Sequence, residues 1–127
     1  MIEMWKIDAC AHAAHEAVRA YAKTTAADGD LLANPWDHCD DAARAAARAT
    51  VYRLIDCRSL TPEQAHEVWV ASMVGLGWKK GRTKNVLAKT HPCLVEWDDL
   101  DHEIQAKDAL FLDVAKAMLR ALLSQPE

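Results

Sequence analysis

The segment HEVWVASMVGLGWKKGRTKNVLAKTHPCLVEWDDL, from His66 to Leu100, decides the fold of this chain. Its first part has the pattern of a helix end, because Gly75 and Gly77 can adopt the backbone conformation that terminates a helix. A loop from Lys79 to Thr90 follows, with five basic residues and no acidic one. The segment then continues through HPCLV, from His91 to Val95. A helix, a basic loop and a short extended segment are therefore predicted in that order.

The helix that enters this segment is predicted to begin at Thr61. A capping threonine, a proline at the first helical position and Gln64 three residues after the cap are together typical of a helix start. Its buried stripe is predicted to contain Ala65, Val68, Trp69, Ser72, Met73 and Leu76. Short extended segments are predicted on both sides of the basic loop, at residues 78–80 and 92–97.

Two helices are predicted upstream. The first runs to about residue 26 and ends at Asp28-Gly29-Asp30, and its apolar stripe is Met4, Ile7, Ala11, Ala14, Val18 and Tyr21. The second begins at Asn34-Pro35 and runs to about Asp56, because an asparagine cap followed by proline favours a helix start. In this second helix Asp40 and Arg44 have the spacing of an ion pair. Its small residues are expected to let another helix pack closely; they are Ala43, Ala46, Ala47 and Thr50.

The last helix is predicted to start at Leu100-Asp101. Its apolar stripe, widened by two leucines, contains Ile104, Leu110, Phe111, Val114, Met118, Leu119 and Leu122. Asp108 falls inside or beside that stripe, where an unpaired carboxylate is costly. We therefore expect Asp108 to be at least partly buried, with a partner near His91 or on the basic loop.

Composition bounds the class of protein. A chain of 127 residues with 51% hydrophobic residues, many of them alanine, favours one mainly α domain. The formal charge of −4 argues against general nucleic-acid binding. Without the five positive charges of the basic loop, the remaining residues carry −9, so a local anion site is compatible with an acidic protein. We expect a cytoplasmic protein, because the sequence shows neither a signal peptide nor a long apolar run. We also expect reduced thiols, because the four cysteines form no Cys-x-x-Cys pair.

An ordered set of residues in the central segment carries a family resemblance. The set consists of His66, Glu67, Trp69, Gly77, Trp78, Gly81, Lys84, Lys89, Thr90, His91 to Val95, Asp98 and Leu100. It resembles the ryanodine receptor repeat (RyR) domain in the single-copy form carried by bacterial and phage proteins. Weaker similarity extends to residues 14–16, 35–36 and 106–111. The chain departs from the family at Lys80, which stands where an aromatic residue is usual, and at Arg82, Glu96 and Trp97.

The resemblance implies a single domain over residues 1–127, with an RyR repeat core at 61–123 and an N-terminal helical pair at 1–60 packed on it. It further implies a mostly helical, non-catalytic module that binds nucleotide-related small molecules or other proteins. We therefore expect recognition of a small anionic, nucleotide-derived ligand, with no cofactor. A phage protein of this kind would sequester a host signal.

The residues expected to bind such a ligand lie mainly in and beside the basic loop. Lys89, Thr90 and His91 are adjacent and could converge on a phosphate, with Lys80, Arg82 and Lys84 as outer contacts and with Trp78 and Trp36 as ring-stacking walls. Trp69 is expected in the core, and Trp69, His66 and Asp108 are expected to support the site structurally. A solvated loop without a ligand remains the alternative, as does a structural His91 bonded to Asp108 or to a backbone carbonyl.

Metal binding and catalysis find little support in the sequence. His12 and His15 do not have the order of a zinc-hydrolase helix, and no third ligand is in register with them. Cys93 and His91 would lie about 7 Å apart on an extended strand, too far for the imidazole to activate the thiol. The alternative function is protein interaction or homo-oligomeric assembly without a small ligand, through the alanine-rich second helix or the last helix.

Overall fold

A computed structural model describes residues 2–25 and 34–124, and four α-helices account for most of them. The helices are α1 (Met4–Thr25), α2 (Asp41–Asp56), α3 (Pro62–Gly75) and α4 (His102–Leu123). Two short strands, β1 (Lys79–Lys80) and β2 (Thr90–His91), flank the basic loop. The predicted mainly α fold with a small extended pair is therefore confirmed. The helix end predicted at residues 28–30 lies outside the described residues.

The ends of α3 follow from local sequence. The Thr61 hydroxyl accepts a hydrogen bond from the Gln64 backbone N–H at 3.2 Å, and the Gln64 side chain accepts one from the Thr61 N–H at 3.0 Å. At the other end Gly77 has a φ of +91°, and the Trp78 N–H donates to the Met73 carbonyl at 3.0 Å. This backward bond is typical of a helix that ends on a left-handed glycine. Both predicted ends of α3 are confirmed.

The predicted start of α2 is six residues too early, because the cap is Asp40 and not Asn34. Trp36–His38 form a short 3-10 turn after Pro35, and α2 begins only at Asp41. Asp40 is the cap, because its carboxylate accepts a hydrogen bond from the Ala43 N–H at 3.1 Å. The predicted pair of Asp40 with Arg44 is also wrong, since Arg44 instead donates to the Asp37 carbonyl at 2.8 Å.

The main core lies among α1, α2 and α4. Its fully buried members include Ile7, Cys10, Ala11, Val51, Leu54, Leu112, Ala115 and Leu119. On α1 the middle of the predicted stripe is buried, whereas Met4 at its start is exposed. On α4 the buried face is rotated toward Leu112 and Ala115, which leaves Ile104 and Phe111 only half-buried. A smaller cluster joins α2 to α3 through Ala42, Ala46, Met73 and Trp78.

The two strands pair in parallel, with Lys79 opposite Thr90 and Lys80 opposite His91. The second extended segment was predicted at residues 92–97, but the strand is two residues earlier, at Thr90–His91. Trp97, the last residue of the predicted segment, begins a second 3-10 turn (Trp97–Asp99). The cause is a tight return of the loop, in which Asn85 and Thr90 exchange two backbone hydrogen bonds of 3.0 Å. This return places His91 beside β1. No helix in residues 2–25 and 34–124 is long and apolar enough to cross a membrane.

Candidate ligand-binding site

A cavity of about 610 Å³ lies among the four helices and the basic loop. Small-molecule sites in proteins typically enclose roughly 300–1,000 Å³, so the volume suits a ligand the size of a nucleotide. Polar side chains from every helix and from the loop reach its wall, including His15, Asp40, His66, Lys84, Lys107 and Asp108. We refer to this space as the central cavity.

Small side chains on α2 help to leave this space open. Ala43, Ala46, Ala47 and Thr50 recur at the spacing of one helical face and line the central cavity. The sequence predicted that another helix would pack against this face; Ala46 and Ala47 do reach the core clusters, but the face also bounds the cavity. The Thr50 hydroxyl donates to the Ala46 carbonyl of its own helix at 3.2 Å, so it is already satisfied.

On α4 the facing side chains have the same helical spacing but different chemistry. Ile104, Lys107, Asp108 and Phe111 line the cavity from this helix. Asp108 stands out in the sequence as a carboxylate in an apolar stripe, whereas Lys107 was not among the residues predicted for the site. The same periodicity could have found it, because Lys107 lies three residues after Ile104 and four before Phe111.

Lys107 is the most unusual charge in the site. Its side chain is buried, with only 9% exposed, and it has neither an ion pair nor a hydrogen bond to any residue that the structure describes. Most of this side chain is out of water, and an ammonium group with limited access to solvent and no counter-charge carries a cost. Because Lys107 lines the central cavity, an anion bound there would remove that cost.

Lys84 is the one basic-loop residue expected in the site that the structure does place in the cavity wall. Its Nζ lies 3.0 Å from Asp40 Oδ1. Burial would raise the pKa of Asp40, but the hydrogen bond and charge of Lys84 outweigh it, with help from the Ala43 N–H, so the pKa is lowered. Lys84 is thus partly neutralised, and Lys107 supplies the uncompensated positive charge.

His91 also lines the cavity, and its tautomer is fixed by the backbone. The Cys93 N–H donates to His91 Nδ1 at 3.0 Å, so Nδ1 is unprotonated and the ring proton of the neutral form is on Nε2. Burial, assisted by the positive charge of Lys84, lowers the pKa of His91 to about 4. At neutral pH His91 is therefore an uncharged side chain with one N–H to donate. His91 does not bond Asp108, which faces His66 instead.

His66 and Asp108 face each other across the wall. His66 is buried, its Nε2 donates to the Val95 carbonyl at 2.7 Å, and its Nδ1 lies 3.6 Å from Asp108 Oδ2. Burial works to lower the pKa of His66, but the Asp108 carboxylate and the Val95 carbonyl outweigh it and raise that pKa above its usual value. Asp108 is partly buried as predicted, and it faces His66 on α3, which lies near His91 through the ring of Trp69, rather than a residue of the basic loop.

The tryptophans were assigned the wrong environments from the sequence, since Trp69 lines the cavity and Trp36 and Trp78 are buried. Trp36 and Trp78, expected as open walls, are buried with 7% and 4% exposed, and neither lines the cavity. Trp36 instead packs against His12 and His15, with ring centroids 5.8 and 5.5 Å away. Trp69, expected in the core, is half-buried and lines the cavity, with its ring stacked on His66 at 5.6 Å. A helical stripe predicts burial but cannot show that one side of the stripe faces a cavity.

The predicted convergence of Lys89, Thr90 and His91 is not found. Lys89 has a φ of +56°, and its Nζ donates to the Leu76 carbonyl at the end of α3 at 3.0 Å. The Thr90 hydroxyl donates to the Thr83 carbonyl at 3.0 Å. Lys80 and Arg82 are exposed and, like Lys89 and Thr90, do not line the cavity. Adjacent residues in the turn and strand point in different directions, so only His91 of the three reaches the cavity.

The remaining polar groups do not assemble a metal site in the described part of the chain, where no group of three His, Cys, Asp or Glu side chains could hold an ion. His15 donates to the Asn34 carbonyl at 2.7 Å and His12 stacks on Trp36. All four cysteines are outside disulfides.

The fold and the cavity define a mainly helical domain with a partly open cavity that has apolar and polar side chains in its wall. The family model described as RyR domain matches residues 52–125, which is more than half of the chain. The chain therefore belongs to the RyR domain family. The match begins within α2 and includes α3, both strands and α4, so it contains most of the residues that line the central cavity. No solved structure matches the chain.

Proposed function

We propose that this protein is a non-catalytic module that binds a small anionic, nucleotide-derived molecule in the central cavity. The observation that carries the proposal is Lys107, a largely buried lysine that lines a cavity of about 610 Å³ and whose ammonium group lacks a partner among the described residues. Charge-assisted hydrogen bonds from lysine to phosphate oxygens are among the strong ones. A phosphate or carboxylate of the ligand is the natural counter-charge.

The rest of the wall supports a ligand with a ring. Trp69 and Phe111 give the cavity aromatic surface, and aromatic side chains stack on nucleobases with a gain of about 1–3 kcal/mol per base. His91 adds a neutral donor, since its Nε2 carries the ring proton. The binding residues proposed are therefore Lys107, Lys84, His91 and Trp69. Lys107 takes the role expected of the loop cations, and Trp69 takes the role expected of Trp78 and Trp36.

Binding without chemistry is proposed because the groups in the cavity are poorly suited to catalysis. The only cysteine in the described wall is Cys93, and the nearby His91 Nδ1 is already occupied by the Cys93 N–H. An imidazole with a pKa of about 4 is also a weak base. We further propose a cytoplasmic setting, where nucleotides are abundant, and in a phage the sequestration of a host signal.

A ligand panel tests the proposal. Thermal unfolding of the protein is followed with AMP, ADP, 3′,5′-cyclic AMP and inorganic phosphate at several concentrations, because a ligand that binds only the folded state raises the melting temperature by mass action. We expect at least one nucleotide to raise it. Lys107→Met removes a positive charge from the cavity wall. Lys79→Met is its matched control, because it removes a positive charge from the exposed strand β1.

The expected result is a ligand-dependent shift in the wild type and in Lys79→Met that disappears in Lys107→Met. A ligand-dependent rise in melting temperature of equal size in both variants would show that the anion binds outside the cavity. No shift with any nucleotide or with phosphate would favour the second candidate function.

That second candidate is homo-oligomeric assembly, and one observation favours it. The apolar side chains of Val74, Leu76, Val86 and Leu87 are exposed, with Leu87 98% exposed at the loop. The alanine face of α2, which the sequence suggested as a contact, is turned into the domain instead. Sedimentation velocity of the wild type and of Leu87→Ser tests this candidate: an assembly through this surface dissociates in the variant, and a wild type that is monomeric at high concentration excludes it.

A further inference from the structure

Asp108 has two different surroundings. Its Oδ2 is buried, lies 3.6 Å from His66 Nδ1 and accepts no hydrogen bond from the described residues. The side chain as a whole is 33% exposed and lines the central cavity. Since Oδ2 contributes almost nothing to that exposure, the polar atom that the side chain offers to the cavity is Oδ1.

His66 holds the carboxylate in this orientation. Its Nε2 must carry a proton, because the Val95 carbonyl at 2.7 Å can only accept a hydrogen bond. Its ring lies against the ring of Trp69, with an angle of 22° between the two planes. With the imidazole fixed on both sides, Nδ1 faces Asp108 Oδ2, and the imidazolium form, which carries a proton on Nδ1 as well, attracts that oxygen. His66 is therefore a positioning residue, and Asp108 Oδ1 remains available to a ligand.

A carboxylate in this wall is unfavourable for a simple anion. Asp108 directly follows Lys107 on α4 and no ion pair joins the two side chains, so each keeps its own charge toward the cavity. A bare phosphate would be attracted by Lys107 and repelled by Asp108. An ionised carboxylate has only acceptor oxygens, and its natural partner is an O–H or N–H donor.

We propose that Asp108 accepts hydrogen bonds from the ribose hydroxyl groups of a ligand whose phosphate pairs with Lys107. The inference rests on the proposed function, because it assigns a role to a residue of the same cavity. It names the ligand class as ribose phosphates with free 2′ and 3′ hydroxyls. Hydrogen bonds from hydroxyl groups to a carboxylate are short and strong, and acidic side chains recognise ribose hydroxyls in dinucleotide-binding folds.

The test compares three probes by titration calorimetry: AMP, 2′,3′-dideoxy-AMP and inorganic phosphate. The wild type is expected to bind AMP about tenfold or more tightly than the dideoxy analogue, as the loss of a charge-assisted hydrogen bond implies. Asp108→Asn keeps the shape of the side chain and removes its charge. In this variant AMP binding weakens and the preference over the dideoxy analogue shrinks, whereas inorganic phosphate binds equally or more tightly because the repulsion is gone.

Asp113→Asn is the matched control, since Asp113 is an exposed carboxylate on the same helix. It should leave all three affinities unchanged. The decisive feature is that Asp108→Asn weakens AMP binding without weakening phosphate binding, because a purely structural role would weaken both probes together. The comparison of AMP with its dideoxy analogue needs no variant, so it remains valid if Asp108→Asn folds poorly.

Each other outcome has its own meaning. Equal binding of AMP and dideoxy-AMP by the wild type overturns the ribose assignment and leaves the anion site intact. Parallel losses for all probes in Asp108→Asn likewise overturn it, in favour of a structural carboxylate. The absence of binding by AMP, dideoxy-AMP and phosphate alike would contradict both the inference and the proposed function.

Discussion

Lys84 Nζ lies 3.0 Å from Asp40 Oδ1, and this contact joins the basic loop to the N-terminus of α2. The other oxygen of Asp40 caps the helix by accepting a hydrogen bond from the Ala43 N–H at 3.1 Å. One carboxylate thus caps the start of α2 and anchors the basic loop. The pair is only partly exposed, so solvent screens it less than a surface pair.

Asp40→Asn separates these two roles. Asparagine caps a helix about as well as aspartate, so the loss measures the contact with Lys84. We expect the free energy of unfolding in urea to fall by about 1–2 kcal/mol, because Lys84 keeps its charge and loses its partner. Asp41→Asn, at the exposed neighbouring position, should change it by less than about 0.5 kcal/mol. Equal effects of the two changes would mean that the loop is not anchored by this pair.

Lys107→Met should stabilise the free protein and abolish ligand binding. Methionine fills a similar volume and carries no charge, so the free energy of unfolding is expected to rise by up to about 1 kcal/mol. Lys79→Met, on exposed β1, should leave it within about 0.5 kcal/mol. Chemical denaturation of the two variants gives the comparison. Destabilisation by Lys107→Met would show that the ammonium group already has a favourable environment in the free protein.

Trp78→Ala should cost more stability than Trp69→Ala. Trp78 is 4% exposed and packs with Met73 and Ala46, so its removal is expected to cost about 3–5 kcal/mol. Trp69 already faces a cavity on one side, and its truncation should cost about 2–3 kcal/mol while nucleotide binding is lost. Urea unfolding of both variants tests the order. A larger loss of unfolding free energy in Trp69→Ala than in Trp78→Ala would show that Trp69 is a core residue.

The acid stability of the protein should depend on His91. Its pKa is about 4 in the folded protein and 6.5 without burial, so between these values the unfolded chain binds a proton that the folded one does not. The stability due to neutral His91 is therefore complete above about pH 6.5 and is lost as the pH falls to 4, by up to roughly 3 kcal/mol. His66 works in the opposite sense, since its raised pKa gives stability that is lost as the pH rises above 6.5.

His91→Asn isolates this effect, because an amide oxygen can replace Nδ1 as the acceptor of the Cys93 N–H and does not titrate. Urea unfolding between pH 4 and 7 should show a smaller loss of stability on acidification in the variant than in the wild type. Identical pH profiles would mean that His91 is not a buried neutral imidazole.

Ala47→Leu tests whether ligands enter the central cavity. The larger side chain occupies part of the space that Ala47 leaves open, so nucleotide binding by the folded variant should fall by at least about tenfold. Ala45→Leu is the control, because Ala45 belongs to the same helix and does not line the cavity. Undiminished binding by Ala47→Leu would place the ligand elsewhere.

Elements with local causes could be predicted from the amino-acid sequence. The capping box at Thr61 and the glycine stop at Gly77 fix both ends of α3 from a few adjacent residues. Helical periodicity gave the four helices, because a period of 3.6 residues is a property of the chain alone. The start of α2 was misplaced because Asp40 competes with Asn34 for the cap, and its tie to Lys84 lies 44 residues away.

Only the tertiary structure decided which side chains share the cavity. Lys89 and His91 are two residues apart, yet one lies at the end of α3 and the other in the cavity, since the positive φ of Lys89 and the return to β2 separate them. Lys107 and Lys84 come from distant segments and reach the same wall. Periodicity shows which face of a helix turns inward, but not whether a neighbour fills the space or leaves it open. That outcome depends on the combined volumes of side chains from several helices, which no single segment contains.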